Sequence, residues 1–295
     1  MPHPYRFLLL LPLLLPLLLA CRATGEEGAT PPPNLAIENK GSDTLVNVAL
    51  AWAETYIAQH PDVHISVTGG GSGTGIAAMI NGTVDIANAS REMKENEIEE
   101  AQANGINPVE ITVARDAIAV VINPENPVNE LTIQQVAAIY TGQITNWSEV
   151  GGEDRPIVLT SRESNSGTYV YFLEEVVRVG ADDEEAVFSP EALLLPSSEV
   201  ISLEVARNPN AIGYDGLGYV TAEQKVVAIR PAPGEPAVLP SIDTVNDGTY
   251  PISRPLYMYT PGEPTGAVRA YLDWILGPEG QEIVRRLGFV PLTPE

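Results

Sequence analysis

The chain is poor in the residues on which metal, disulfide and nucleic-acid chemistry depend. Its 295 residues include one cysteine and three histidines, which excludes a disulfide framework and a multi-cysteine metal site. Lysine and arginine together number 16, against 39 aspartates and glutamates, and the formal net charge is −23. Because nucleic acids are bound by clustered positive charge, we expect no nucleic-acid partner. We also expect neither a metal nor another cofactor.

Long hydrophobic runs are absent too, except for one at the N-terminus. This run extends from Phe7 to Ala20 and spans 14 residues, whereas a membrane-spanning helix needs about 20. Arg6 precedes the run, and the pattern predicts a signal peptide over residues 1–20.

The single cysteine follows this run directly. The sequence Leu-Leu-Ala-Cys that ends at Cys21 resembles the lipobox of bacterial lipoproteins, which implies that Cys21 carries a lipid. Three consecutive prolines shortly afterwards predict that residues 21–33 form a disordered tether. We therefore expect an extracytoplasmic protein that is attached to the membrane by a lipid anchor alone.

Beyond the tether, segments typical of strands alternate with segments typical of helices. This alternation predicts an α/β fold with mostly parallel sheets. Two extended runs would suit strands that cross between two lobes: Val109–Ile122, which is interrupted by Arg-Asp, and 251–260. A single larger domain fits the pattern as well. The predicted strands are 35–38, 64–68, 84–87, 109–114, 117–122, 156–160, 226–229 and 256–259. The apolar spacing of Ile133, Val136, Ala137 and Tyr140 predicts a helix that Thr132 opens.

Three segments rich in glycine and hydroxyl side chains each precede a helical pattern. They are 41–44, 69–75 and 164–168. A helix start offers unpaired N–H groups and a partial positive charge, and glycine lets the backbone approach a ligand closely. Any one of these segments could be an ordinary helix cap, but three of them favour an oxyanion site built from converging helix starts.

A nucleotide site is a poorer explanation of these segments. The glycine-rich run 69–75 lacks the Gly-Lys-Ser/Thr ending of a P-loop and matches no G-x-G-x-x-G spacing. Arginine is scarce, yet Arg91 and Arg162 follow predicted strands close to the three segments. Guanidinium groups bind tetrahedral oxyanions through paired hydrogen bonds, so both arginines are candidate ligand residues. The alternative for each is a surface ion pair, with Glu163 for Arg162 and with Glu92 for Arg91.

These motifs together resemble the phosphate-binding (PstS-type) subunits of bacterial ABC phosphate importers. The matching segments are NKGSDTL, GGGSGTGI, VDIANASR, SRESNSGT and the C-terminal EGQ…GFVPL, and the resemblance covers about residues 35–292. It implies a class II periplasmic-binding-protein fold, with two lobes joined by a two-strand hinge. Lobe one would comprise 34–115 plus 254–295, and lobe two 116–253.

The resemblance also implies a site and partners. The protein would bind inorganic phosphate as a monomer and deliver it to ABC permease subunits, without being an enzyme. The implied phosphate-binding residues are Thr44, Leu45 through its N–H, Ser72, Ser90, Arg162, Ser166, Gly167 through its N–H, and Thr168.

One position departs from the family pattern. Well-known members have an aspartate where this chain has Arg91, and that aspartate accepts a hydrogen bond from protonated phosphate and repels sulfate. Arg91 has donors only. We therefore hypothesise that Asp43 supplies the acceptor, although Asp43 could equally be a plain helix cap.

Several other functions remain open at this point. The ligand could be another oxyanion such as sulfate or molybdate, and a surface sensor or adhesin would also suit a tethered protein. A phosphoester hydrolase is disfavoured because no G-x-S-x-G motif and no carboxylate–histidine cluster occurs in the sequence.

Overall fold

The computed structural model of the protein describes residues 35–232 and 234–292. The predicted signal peptide, Cys21 and the tether 21–33 lie outside the described residues. The strands are β1 Ala36–Gly41, β2 His64–Thr68, β3 Ile86–Ala89, β4 Val109–Ile122, β5 Glu130–Thr132, β6 Val158–Arg162, β7 Leu193–Leu195, β8 Ala211–Gly216, β9 Lys225–Val226, β10 Ala228–Arg230 and β11 Ser253–Thr260. The α-helices are α1 Asp43–Gln59, α2 Ser72–Ile80, α3 Glu95–Ala103, α4 Ile133–Tyr140, α5 Gly167–Phe172, α6 Val179–Ala181, α7 Ser198–Arg207, α8 Ile242–Asn246, α9 Gly266–Leu276 and α10 Pro278–Arg286.

Most of the strands belong to one nine-stranded sheet. Its order is β2-β1-β3-β11-β4-β8-β6-β7, with β9 beside β4. The pairs β1–β2, β1–β3, β6–β8 and β6–β7 are parallel, whereas β11 runs antiparallel to β3 and β4, and β4 runs antiparallel to β8. The prediction of mostly parallel sheets therefore holds for the outer strands. It is wrong for the centre, where the two longest strands, β4 and β11, pair antiparallel with each other and with their neighbours.

Two hydrophobic cores lie along this sheet. The first core surrounds Trp52 and includes Leu45, Tyr271 and Phe289, and the second surrounds Trp147 and includes Tyr214. Strand β4 supplies Val113 and Ala114 to the first core and then, beyond Asp116, Ala117 and Ile118 to the second. Burial of these large aromatic and aliphatic side chains provides the main stabilisation of each half of the chain.

The Arg-Asp interruption does not end a strand. Sequence reasoning divides 109–122 at Arg115–Asp116, yet β4 is continuous there, because β11 pairs with it on both sides of the interruption. Three further strands, β5, β7 and β8, were not predicted. β8 contains two glycines and an aspartate and has no alternating pattern, because all its residues are buried.

The ends of the helices follow local rules more closely. Thr132 was predicted to open a helix, and it is the N-cap of α4. Its Oγ1 accepts a hydrogen bond of 3.0 Å from the N–H of Gln135, and the two residues form a capping box. The helix that begins as α5 continues through a π-helical turn, Leu173–Arg178, into α6. Within the described ranges, none of the helices has the length and apolar character needed to cross a membrane.

Candidate functional site

The three glycine- and hydroxyl-rich segments lie at the starts of α1, α2 and α5. The last two touch each other directly: the N–H of Gly73 donates to the carbonyl oxygen of Asn165 at 3.1 Å, and Asn165 Nδ2 donates to the carbonyl oxygen of Gly70 at 2.9 Å. The helix starts therefore converge, as the sequence analysis expected.

Four hydroxyl groups meet where these helices begin. Thr44 Oγ1 and Thr168 Oγ1 lie 2.8 Å apart, and both residues are almost fully buried. Ser72 Oγ lies 3.2 Å from Ser90 Oγ and accepts a hydrogen bond of 3.0 Å from the N–H of Ser90. The cluster brings together residues that are up to 124 positions apart in the sequence.

Gly167 lies against the serine pair. A Cβ at this position would be 2.5 Å from Ser90 Oγ and closer still to Ser72 Oγ, so a side chain could not fit without displacement. Ser166, the N-cap of α5, accepts a hydrogen bond of 3.2 Å from the N–H of Thr168 through its Oγ. This cap fixes the first turn of α5, which carries Gly167 and Thr168.

Arg162 forms a second group with Asp43 beside this cluster. Its Nη2 lies 3.1 Å from Asp43 Oδ2, and its Nη1 donates to Ser198 Oγ at 3.0 Å. The N–H of Ser198 donates to the same Asp43 oxygen at 3.0 Å. Asp43 is the first residue of α1 and Arg162 the last residue of β6. The side chain of Arg162 is 1% exposed and that of Asp43 14%.

Asp215 is a buried carboxyl close to Arg162. Burial raises the pKa of Asp215 to about 7, while the charge of Arg162 acts in the opposite direction. Sequence reasoning missed both Asp215 and Ser198. For Asp215 the available signal was a charged residue in the otherwise uncharged segment that forms β8.

Leu45 and Arg91 are placed differently from the other predicted residues. The N–H of Leu45 donates to the carbonyl oxygen of Ser42 at 3.2 Å, at the first turn of α1. Arg91 donates to both carboxylate oxygens of Glu97, with each distance 2.7 Å. Burial by itself would raise the pKa of Glu97, but hydrogen bonds and charge from Arg91 and Lys94 together lower it. The Arg91 guanidinium is therefore paired with Glu97 of α3, and its Nη2 also lies close to Gly73 at the start of α2.

Sequence reasoning also missed a buried arginine inside the cluster. Arg254 Nη2 donates to Thr168 Oγ1 at 2.8 Å, lies 3.4 Å from Thr44 Oγ1, and forms an ion pair of 3.0 Å with Asp116 Oδ2. Asp116 interrupts the apolar strand β4, and that interruption is the sequence signal that could have found it; Arg254 stands near the start of β11, between Ser253 and Pro255, without such a signal. Arg254 and Arg91 also line a cavity of about 320 Å³.

The donor set suits an oxyanion better than a cation. Hydroxyl, amide and guanidinium groups dominate the cluster, and the described residues contain no group of three or more His, Cys, Asp or Glu side chains that could hold a metal ion. Burial excludes water and so strengthens each hydrogen bond to a charged ligand.

Known proteins are similar to this chain in sequence and in architecture. A sequence model of the PBP superfamily domain matches residues 27–279. The phosphate-binding protein PstS of Pseudomonas aeruginosa is 35% identical over 273 residues, which cover 87% of this chain and 83% of the relative. The chain belongs to the PstS family of the PBP superfamily. PstS of Bacillus subtilis is 34% identical, and its alignment covers 92% of this chain and 84% of the relative.

Solved structures support the same PstS-family assignment. A phosphate ABC transporter substrate-binding protein from Clostridium perfringens, solved with bound phosphate, has a TM-score of 0.77 and 33% identity, covering 88% of this chain and 100% of that one. An ABC-type phosphate transport receptor from Vibrio cholerae has a TM-score of 0.70 and 29% identity, covering 87% of this chain and 100% of that one. The predicted periplasmic-binding-protein fold is confirmed, and these relatives are named as binding and transport proteins.

Proposed function

We propose that the protein is an extracytoplasmic receptor that captures inorganic phosphate and delivers it to an ABC importer. The observation that carries this proposal is the convergence of hydroxyl groups from three helix starts and from the end of β3, Thr44 with Thr168 and Ser72 with Ser90, in a chain whose relatives are phosphate-binding proteins. Such groups donate hydrogen bonds to an oxyanion, and the helix starts stabilise its negative charge.

Phosphate would bind at the point where these groups meet. The hydroxyls of Thr44 and Thr168 contact each other, so a bound anion would part them and replace one hydrogen bond by several. Each hydrogen bond to a charged ligand contributes about 1.5–3 kcal/mol. The proposed ligand residues are Thr44, Leu45 (N–H), Ser72, Ser90, Arg162, Ser166, Gly167 (N–H) and Thr168.

Closure of two lobes would complete the site. We assign residues 34–115 plus 254–295 to lobe one and 116–253 to lobe two, with β4 and β11 as the hinge. Strand β4 passes from the first core to the second, and β11 follows Ile252 of the second core and leads into the first. The Thr44–Thr168 contact and the hydrogen bond between Asn165 and Gly70 would then join the lobes. A ligand that contacts both lobes favours the closed state by its differential affinity.

Selectivity for phosphate would depend on Asp43 rather than Arg91. Both Nη atoms of Arg91 already donate to Glu97, and a guanidinium accepts no hydrogen bond. The Asp43 carboxylate lies beside Arg162 and adjoins Thr44, where it could accept a hydrogen bond from the protonated oxygen of phosphate. Asp43→Asn should lower the preference for phosphate over sulfate, with Asp273→Asn as a control in an exposed ion pair on α9. An unchanged ratio of the two affinities would remove Asp43 from this role.

The N-terminal segment would set the location. We propose that a signal peptide, residues 1–20, directs export, that Cys21 is lipidated, and that 21–33 tether a monomeric receptor near its permease. Mass spectrometry of the membrane-extracted protein tests this, since a diacylglyceryl adduct on Cys21 is expected. The binding function involves no chemical step, so we expect no turnover of a phosphoester substrate by the purified protein.

Calorimetry with four oxyanions tests the binding function. We expect the purified protein to bind phosphate and its close analogue arsenate, and to bind sulfate and molybdate much more weakly. Failure to bind phosphate would refute the proposal. Tighter binding of sulfate or molybdate would instead assign the same site to another tetrahedral anion.

A further inference from the structure

Arg254 lies at the point where the two cores meet. It stands in β11 directly opposite Asp116 in β4. Asp116 separates the β4 residues of the first core from those of the second, and Arg254 lies between Ile252 of the second core and Leu256 of the first. Arg254 is only 2% exposed, and its guanidinium lies 5.5 Å from the centre of the Tyr171 ring. A charge at this depth is costly unless it is paired and hydrogen-bonded, so its partners indicate its role.

Those partners are the hydroxyls of the proposed ligand site. Nη2 reaches Thr168 Oγ1 at 2.8 Å and Thr44 Oγ1 at 3.4 Å, while Nη1 donates to the carbonyl oxygen of Ser90 at 2.8 Å. One guanidinium thus contacts two of the three converging segments and Ser90, the residue after β3. Within the described chain, its Nε is buried without a hydrogen-bond partner, as is the Nε of Arg162.

Arg162 does not have this position. Its guanidinium hydrogen-bonds to Asp43, to Ser198 and to the carbonyl oxygen of Pro196, at 3.0–3.1 Å. Arg254, in contrast, contacts the threonine hydroxyls and Asp116. The two buried arginines therefore have separate partners, each with its own aspartate.

We propose that Arg254 is a second anion-binding guanidinium of this site and that Asp116 is the counter-ion that holds it in place. The inference rests on the proposed function, because it concerns the same phosphate. An anion that parts the Thr44 and Thr168 hydroxyls lies within reach of Nη2, which already contacts both of them. Arg254 then binds the anion together with Arg162, and tetrahedral oxyanions are well matched by such forked donors.

Asp116 is suited to the counter-ion role. It is fully buried, and its Oδ1 accepts a hydrogen bond of 3.3 Å from the N–H of Leu217 while its Oδ2 contacts Arg254. A Cβ at Gly216 would lie 3.0 Å from Oδ2, so the close approach of β8 also fixes the carboxylate. The carboxylate thereby orients the guanidinium toward the two threonines.

The decisive experiment measures phosphate affinity by calorimetry in the purified full chain. Arg254→Lys keeps the charge and removes the fork, and we expect it to weaken phosphate binding by at least about tenfold. The matched control is Arg269→Lys, whose guanidinium forms an exposed ion pair with Asp273 on α9, and there we expect wild-type affinity. Wild-type affinity in a folded Arg254→Lys protein overturns the inference and leaves the proposed function standing, whereas no phosphate binding by the wild type refutes both.

Two further measurements keep the test independent of how the lysine variant folds. The double variant Arg254→Met/Asp116→Leu removes the buried pair as a unit, a change that buried ion pairs often tolerate, and it should lose affinity by at least the same factor. In the wild-type protein, nitrogen NMR of the arginine side chains should show the Arg254 guanidinium signals shifting as phosphate is added. Signals that do not move during saturation would overturn the inference.

Discussion

Replacing Gly167 by alanine tests the geometry of the proposed site with a single methyl group. The φ angle of Gly167 is not positive, so alanine suits the backbone there and any effect comes from the space around the side chain. That space is occupied: the new Cβ would lie 2.5 Å from Ser90 Oγ and closer still to Ser72 Oγ. Ordinary contacts of this kind begin at 3.4 Å. The start of α5 must therefore retreat by about 1 Å from the two serines.

A shift of this size is large for hydrogen bonding. Donors that reach an anion at about 2.8 Å would lie near 3.8 Å, beyond the useful range. If two donors from the start of α5 are lost, at about 1.5 kcal/mol or more each, phosphate affinity falls by roughly 100-fold. The strain itself should also lower the free energy of unfolding by about 1–3 kcal/mol.

Calorimetry and thermal unfolding measure the two effects separately. Gly262→Ala is the matched control, because a Cβ there meets nothing within 4 Å and its φ is not positive. We expect that variant to bind phosphate and unfold like the wild type. If Gly167→Ala binds phosphate as tightly as the wild type, then α5 does not approach the anion together with Ser72 and Ser90, and the proposed ligand set is wrong.

The other predictions concern charge. Arg162→Ala should weaken phosphate binding by at least about 2 kcal/mol, and calorimetry that finds no loss would remove Arg162 from the ligand set. Burial raises the folded-state pKa of Asp215 from the ordinary 3.8 to about 7, and Arg162 and Asp116 are the charged groups that act on it. Between pH 3.8 and about 7 the folded protein therefore binds more protons than the unfolded chain. The free energy of unfolding should fall as the pH rises through this range. Thermal melts across that range should show the decline in the wild type and a weaker one in Asp215→Asn. Because charges separated by more than about 8 Å are screened at physiological salt, phosphate affinity should depend only modestly on ionic strength despite the net charge of −23; a steep loss with added salt would mean that long-range electrostatics dominate.

The elements of the fold that depend on local chemistry were predictable. His64–Thr68 was predicted with the bounds that β2 has, and Thr132 was correctly assigned as the opening residue of α4. Both follow from rules that act over a few residues, namely alternation in a strand and capping at a helix start. The all-buried strand β8 lacks such a local pattern, and its existence depends on neighbours that are distant in sequence.

The proposed site divides in the same way. Segments at the starts of α1, α2 and α5 could be identified because glycine and hydroxyl residues before a helix have a local meaning. The role of Arg91 could not be inferred, because its position after a strand leaves open whether it faces the helix starts or Glu97, six residues later.

By itself, the sequence determined the α/β character, the acidic surface charge and the three helix starts that can receive an anion. Only the tertiary structure decided which side chains meet there: it joined Thr44 to Thr168 and carried Arg254 and Asp116 into the same buried cluster. The reason is that helix caps and strand patterns are fixed by neighbours along the chain. A buried guanidinium, in contrast, finds its partners across paired strands whose register depends on the packing of two whole cores.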